Sequence, residues 1–195
     1  MPVQKILEFR QSGNMEAAVS IMVAMNCAAL IKGLKAANIM TVTKKEYGYI
    51  KEILQGTSIS CYLLKLKDGK YILYLYRKKA ITSYINTKEV KEFLSGYGYF
   101  TNNIEEMLKI LSERILMYCD GKVSFPHEIG IFLEYPLLDV KGFLENEGRN
   151  FKYTGYWKVY HNEQKTRHLF KCFDRKREEA VTEILLGKSI REIAV

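Results

Sequence analysis

The chain has 195 residues, which is the length of one globular domain or at most two small ones. With 48% hydrophobic residues, 27% charged residues and three prolines, its composition excludes a low-complexity or disordered chain. Lys and Arg number 30 against 22 Asp and Glu, and the resulting charge of +8 permits binding to nucleic acid or another anionic surface without requiring it.

The chain order of apolar residues and turn signals predicts helices and two strand regions. Helices are expected after Asn14, over 45–54, from Thr87 to Gly96, from Asn103 to Gly121, over 127–133 and 137–147, and over 163–186. Two β-rich runs, 60–67 and 70–76, flank Asp68-Gly69, which is typical of a two-residue hairpin turn. A later strand is expected at 153–160.

These elements predict an α+β fold with a small, mainly antiparallel sheet that has a central hairpin and is covered by helices. The hairpin and the strand at 153–160 are expected in one sheet. No internal repeat appears, so a single domain over 1–195 is predicted, with flexible ends at 1–13 and 188–195.

The location of the protein is predicted from its termini and its cysteines. The first residues lack the apolar core and cleavage site of a signal peptide, and the most apolar stretch, 17–31, is shorter than the roughly 20 residues of a membrane span. Cys27, Cys61, Cys119 and Cys172 form no C-x-x-C pair, so free thiols are expected. A cytoplasmic protein with no membrane segment is therefore predicted.

Two segments carry a specific pattern, FPHEIGIFLEYPLLDVKGFLENEG at 125–148 and GYWKVY at 155–160. In this order they resemble an uncharacterised bacterial family known only as a domain of unknown function. Looser similarity extends the likeness from about residue 20 to about residue 180. The resemblance implies a stand-alone protein, usually of anaerobic bacteria, and no particular activity. The family pattern often has glycine where this chain has Glu134, and cysteines near Tyr153 and Thr154.

His127 and Glu128 are the most suggestive ionisable pair, because an imidazole beside a carboxylate suits acid–base work or metal ligation. Consecutive helical residues point about 100° apart, so the two side chains do not easily converge on one atom. Both a structural role at the helix terminus near Pro126 and a functional role stay open. Ile131 occupies the second histidine position of an H-E-x-x-H zinc motif, which is therefore absent.

Other chemical motifs are missing. His161 and His168 are seven residues apart, which on a helix separates them by roughly 10 Å, too far to share a metal. No metal site is predicted, the cofactor is unknown, and no nucleophile, base and orienting group can be named together. A helix-turn-helix is imitated by Gly130 and Val140, but Asp139 and its acidic neighbours would repel phosphate.

Basic residues on the last long helix form an alternative binding surface. The candidate nucleic-acid contacts among them are Lys165, Arg167, Lys171 and Arg175, and the cluster continues through Lys176 and Arg177. They are interpreted either as a solvated face or as part of a positive surface on which bases stack against exposed tyrosines of the hairpin, namely Tyr71, Tyr74 and Tyr76. The competing interpretation places these tyrosines in cross-strand pairs on a half-buried sheet.

In the strand at 153–160, Tyr156, Lys158 and Tyr160 are expected on one face, and Trp157 is expected in the core. If the helical block packs nearby, an aromatic-walled pocket forms. The favoured hypothesis is a non-catalytic protein that binds a small molecule or a protein partner, with a site drawn from His127, Glu128, Tyr135, Tyr156, Lys158 and Tyr160. A nucleic-acid-binding protein and an enzyme associated with a metal or redox cofactor are the alternatives.

Overall fold

The structure, a computed structural model, describes residues 13–67 and 70–195. The helices are α1 (Met15–Ile31), α2 (Lys44–Ile53), α3 (Lys78–Ile85), α4 (Lys88–Ser95), α5 (Ile104–Cys119), α6 (Ile129–Phe132), α7 (Leu137–Glu145), α8 (Glu163–Leu185) and α9 (Ile190–Ile193). The strands are β1 (Ala37–Thr43), β2 (Ser60–Lys67), β3 (Lys70–Tyr76), β4 (Tyr153–Thr154) and β5 (Lys158–Val159). Two compact units are formed, unit 1 by residues up to Arg77 and from Cys172 onward, and unit 2 by Lys78–Lys171.

Unit 1 contains a three-stranded antiparallel sheet in the order β1-β3-β2. The pairing of β2 with β3 confirms the predicted hairpin strands, and its register shifts at a bulge between Leu63 and Lys65. The turn residues Asp68 and Gly69 lie outside the described residues. Because β1 pairs with the other edge of β3, one hairpin strand occupies the centre of the sheet.

The core of unit 1 is built on α1, whose predicted cap at Asn14 is confirmed by the hydrogen bond that the Ala17 N–H donates to Asn14 Oδ1 at 3.1 Å. Buried residues of α1 pack in one cluster with buried residues of the sheet, α2, α9 and the second half of α8. The C-terminal end of α1 is closed by Arg77, whose Nε and Nη2 donate to the carbonyls of Leu30 and Ile31, each at 3.0 Å.

Unit 2 is mainly helical, with β4 and β5 paired in a separate two-stranded sheet. The prediction of one strand over 153–160 that joins the first hairpin is therefore wrong. The chain turns at Gly155, whose N–H donates to the Trp157 carbonyl at 3.2 Å. A Cβ on Gly155 would lie 2.4 Å from the Phe170 ring, so only glycine permits this close turn.

The α+β class with a small antiparallel sheet is confirmed. Helix α3 was not predicted from the sequence, because its basic start and its β-branched residues give a weak helical signal. Within the predicted flexible end at 188–195, the structure has α9 with buried Ile190 and Ile193. The other predicted flexible end lies outside the described residues except for Gly13. The single domain over 1–195 stays a prediction.

Candidate functional site

The turn between α6 and α7 positions the candidate site in unit 2. Glu134 has a left-handed conformation with φ of 58°, and its N–H donates to the carbonyl of Ile131 at 2.9 Å. The Tyr135 N–H donates to the carbonyl of Gly130, also at 2.9 Å. This pair of bonds is a Schellman motif, which ends α6 and directs the chain through Pro136 into α7.

Helices α6 and α7 pack closely because Gly130 has no side chain. A Cβ there would lie 2.9 Å from Val140 and 3.2 Å from the Tyr135 ring. Gly130 and Val140, which imitate a helix-turn-helix in the sequence, are therefore in close proximity, although α6 has only four residues. With so short a first helix, the pair of helices lacks the geometry of a helix-turn-helix.

The buried carboxylate of Asp139 connects α7 to the β4-β5 hairpin. Its Oδ2 accepts the indole N–H of Trp157 at 2.8 Å. Its Oδ1 accepts the backbone N–H groups of Tyr160 at 2.8 Å and His161 at 2.9 Å. Asp139 is only 3% exposed, so these three donors satisfy a charge that would otherwise be costly to bury. Sequence reasoning missed this role and treated Asp139 only as an acidic surface residue.

A pocket of about 220 Å³ lies where α6, α7 and β5 meet, and we call it the aromatic pocket. Its apolar lining consists of Ile129, Gly130, Tyr135, Val140, Phe143 and Trp157. Its polar lining consists of His127, Asp139 and Lys158. The rings of Tyr135 and Trp157 stack with centroids 4.9 Å apart. Phe143 is a further lining residue that the sequence did not single out.

His127 lies between two aromatic rings at the pocket. Its ring centroid is 4.9 Å from that of Phe143 and 5.2 Å from that of Phe125. Burial lowers the pKa of His127 below its ordinary value of 6.5, and the nearby Glu128 carboxylate opposes that effect. In the described part of the chain, neither ring nitrogen forms a hydrogen bond, so the imidazole can still bind a polar group.

Lys158 is the cationic member of the pocket lining. Its ammonium donates to the Gly148 carbonyl at 2.7 Å and lies 5.6 Å from the Phe143 ring centroid and 5.1 Å from that of Phe151. Among the described residues, no carboxylate lies within 4.0 Å of this ammonium. Lys158 is therefore held by a carbonyl and by ring faces rather than by an ion pair.

Three of the predicted site residues do not contribute their side chains to the pocket. Glu128 is 1% exposed and is bound by Arg114 and by the Tyr99 hydroxyl, so its side chain diverges from that of His127. The helix predicted over 127–133 begins only at Ile129, and His127 and Glu128 precede it. The Tyr156 ring lies against Phe170, while its carbonyl accepts a hydrogen bond from the Tyr135 hydroxyl at 3.3 Å.

The third such residue is Tyr160, which is buried against Gly142. A Cβ on Gly142 would lie 2.6 Å from the Tyr160 ring. Burial raises the pKa of Tyr160, and the Asp139 carboxylate adds to this effect. Within the described residues the buried Tyr160 hydroxyl has no hydrogen-bond partner. Tyr160 thus packs against α7 and does not line the pocket.

The four basic residues of α8 that are candidate nucleic-acid contacts are exposed, but their surroundings differ. Arg167 pairs with Glu163 at 2.8 Å and lies 3.7 Å from the Tyr153 ring centroid, so its charge is already engaged. Lys165 and Lys171 are exposed, and Arg175 donates to the Cys172 thiol at 3.3 Å.

The tyrosines proposed to stack on bases are largely unavailable. Tyr74 and Tyr76 are buried, with rings stacked 5.1 Å apart, and Tyr71 stacks on Tyr47 at 5.6 Å. The expectation of exposed rings at Tyr74 and Tyr76 is therefore wrong, because both residues lie in the central strand β3 and are buried.

A second cavity, of about 370 Å³, lies in unit 1 at the start of α1 and α9. Its main cations already have partners, since Lys188 pairs with Glu183 at 3.0 Å and Arg191 donates to the Glu52 carbonyl at 2.8 Å. The cations of this larger cavity are therefore already engaged.

The described residues provide neither a metal-binding cluster nor a membrane-spanning helix. Across residues 13–67 and 70–195, no three His, Cys, Asp or Glu side chains are grouped to hold a metal ion. Within the same residues, no helix has both the length and the apolar character needed to cross a bilayer. All four cysteines are free thiols, and burial raises the pKa of the Cys27 thiol to about 12.

Comparison with known proteins identifies one family. The model of a family described as "Protein of unknown function (DUF3793)" matches residues 23–194, a range that includes both α6 and α7 and the β4-β5 hairpin. No curated protein and no solved structure matches the chain. Since the match covers most of its length, the chain belongs to the DUF3793 family of proteins of unknown function.

Proposed function

We propose that this protein is a non-catalytic binding domain that holds a small molecule in the aromatic pocket. The observation that carries the proposal is the pocket itself, with Tyr135, Phe143 and Trp157 in its walls. Binding sites for small molecules are typically concave and apolar, with a few polar groups that orient the ligand. His127 and Lys158 are suited to that orienting role.

The state of the ionisable groups favours binding over catalysis. Acid–base or nucleophilic chemistry needs several groups that converge on one reacting atom. Here Asp139 accepts three N–H groups, and Glu128 is bound by Arg114 and Tyr99. His127 is left as a single imidazole, which can accept or donate one hydrogen bond to a ligand but has no second group to work with.

The pocket also bears on the family signature, and the cysteines bear on the location of the protein in the cell. We infer that the segments 125–148 and 155–160 form a signature of the DUF3793 family because they build the pocket, and that the protein is bacterial. Four free thiols support a reducing cytoplasm as its location. A protein partner that inserts an apolar side chain into the same pocket is the competing occupant.

The single tryptophan of the chain gives a direct test, because Trp157 is in the pocket wall. Its indole N–H should give one resolved signal in a ¹⁵N–¹H NMR spectrum, held by the bond to Asp139. We expect indole, benzamide or benzoate, added as unlabelled probes, to shift this signal in a saturable way. Absence of any shift with all three probes would contradict a small-molecule site here.

Two variants localise the response. Phe143→Ala removes a pocket wall and should weaken probe binding about tenfold or more, since aromatic contact area dominates such sites. Its matched control is Phe100→Ala, which alters a phenylalanine of unit 2 that is 84% exposed and outside the pocket. Equal weakening in both variants would place the binding elsewhere.

A further inference from the structure

Given the proposed function, on which this inference rests, we propose that the ligand of the aromatic pocket is a small aromatic carboxylate. Its ring would lie against Tyr135 and Trp157, and its carboxylate would be bound by the Lys158 ammonium and the His127 imidazole.

The lining of the aromatic pocket contains a positive charge that no carboxylate of the described residues balances. The Lys158 ammonium has three N–H donors, and it donates one hydrogen bond at 2.7 Å, to the neutral Gly148 carbonyl. No carboxylate among the described residues pairs with it. Asp139, the acidic residue of the lining, has both oxygens occupied by N–H donors. A ligand anion would therefore supply the counter-charge that Lys158 lacks.

The polar groups of the pocket, on His127 and Lys158, lie near the ring of Phe143. The His127 ring centroid lies 4.9 Å from that of Phe143, and the Lys158 ammonium lies 5.6 Å from the same centroid. Phe143 therefore lies near both polar groups, and the stacked rings of Tyr135 and Trp157 form an apolar part of the lining. A ligand with one polar end and one flat apolar end matches this arrangement.

The protonation state of His127 determines the charge that the pocket offers to a ligand. Because burial lowers its pKa, the imidazole is mainly neutral at pH 7 and keeps one N–H donor. It can donate that N–H to a carboxylate oxygen of the ligand. The site thus provides one formal positive charge, which matches a monoanion better than a phosphate dianion.

The volume of the aromatic pocket limits the size of the ligand. A cavity of about 150 Å³ is known to hold benzene, so the 220 Å³ of the aromatic pocket accommodates one ring with a carboxyl substituent. A dinucleotide or a large redox cofactor exceeds that space. Single-ring carboxylates are therefore the class to test first.

The test compares benzoate with benzamide, which has a similar size and shape but no charge. Dissociation constants are measured from the Trp157 indole signal in the wild type. We expect benzoate to bind about tenfold more tightly than benzamide, because a charge-assisted bond to Lys158 replaces a neutral one. Equal affinities would overturn the carboxylate inference while leaving the proposed binding function standing. Failure of both probes and of indole to bind would overturn the binding function as well.

Substitutions assign the preference to the ammonium. Lys158→Met should abolish the preference for benzoate, and Lys158→Arg should restore most of it. Lys152→Met is the matched control, since Lys152 is an exposed lysine outside the pocket, and it should keep the wild-type preference. The unliganded indole signal of each variant reports whether the fold around Trp157 is retained. A tenfold preference that persists in Lys158→Met would overturn the inference.

Discussion

At the scale of single residues, Asp139 determines how α7 and the β4-β5 hairpin are joined. Its carboxylate accepts one side-chain and two backbone N–H groups and is almost fully buried. Such a carboxylate stabilises the fold through its hydrogen bonds, because each donor would be unsatisfied without it.

We expect Asp139→Asn to destabilise unit 2 by about 1–3 kcal/mol, since the amide NH₂ would face an N–H donor and leave it unpaired. Chemical denaturation followed by Trp157 fluorescence measures the change. Asp120→Asn is the control, because Asp120 is exposed and pairs only with Lys122, and its effect should stay below about 0.5 kcal/mol. Comparable losses in the two variants would show that the Asp139 bonds contribute little.

Glu134 is strained by its left-handed backbone, a conformation that favours glycine. Glu134→Gly should therefore raise the free energy of unfolding by up to about 1 kcal/mol, reduced by the greater freedom of glycine in the unfolded chain. Lys141→Gly, in the interior of α7, should have the opposite sign and lower stability by about 1 kcal/mol. Thermal unfolding compares them, and a loss of stability in Glu134→Gly would contradict the strain.

The pH dependence of His127 follows from the lowering of its pKa by burial. The unfolded state then binds more protons than the folded state below pH 6.5, so protonation favours unfolding. The contribution of His127 to stability is present above 6.5 and is lost as the pH falls through the lowered pKa. NMR titration of the ring should give a value under 6.5, and a value above it would contradict the burial.

The sequence could identify some of the site and not the rest, for physical reasons. His127, Tyr135 and Lys158 were within reach because short motifs concentrate them between prolines and glycines. Asp139 and Phe143 were missed because their partners are set by tertiary packing. The buried indole of Trp157 was the available signal for Asp139, since a buried N–H needs an acceptor.

At the scale of elements, the sequence predicted those helices and strands correctly whose formation depends on residues close together in the chain. The capped start of α1 and the paired strands β2 and β3 follow from side-chain spacing and turn residues. The prediction of one strand at 153–160 was wrong because the alternation of residues in this segment also fits a tight hairpin. Its strands have only two residues each, and the direction of Trp157 is set by Asp139 on another element.

Nucleic-acid binding by the basic residues of helix α8 is the alternative function. Because Arg167 is engaged by Glu163 and Tyr153, we expect no complex with single-stranded DNA or RNA at physiological salt. A gel-shift measurement checks this expectation. A complex that weakens steeply with salt and on reversal of charge at Lys171 and Arg175 would support the alternative instead.

At the scale of the whole molecule, the chain leaves unit 1 after Arg77 and returns to it after Lys171. This insertion of one unit within the chain of the other favours cooperative unfolding, so the single domain predicted from the sequence should unfold in one transition. Trp157 fluorescence reports unit 2 alone, whereas far-UV circular dichroism reports both units. Coincident curves are expected, and separated midpoints would show two independent domains.

The most direct test of the central claim is hydrogen exchange across the whole chain, with and without saturating benzoate. If the aromatic pocket binds the probe, exchange should slow in peptides from 127–143 and 153–161, and peptides of unit 1 should not change. In the control variant Phe100→Ala the same protection should remain, and in Phe143→Ala it should disappear. Protection confined to unit 1, or identical exchange with and without the probe, would contradict the claim that this pocket is the binding site.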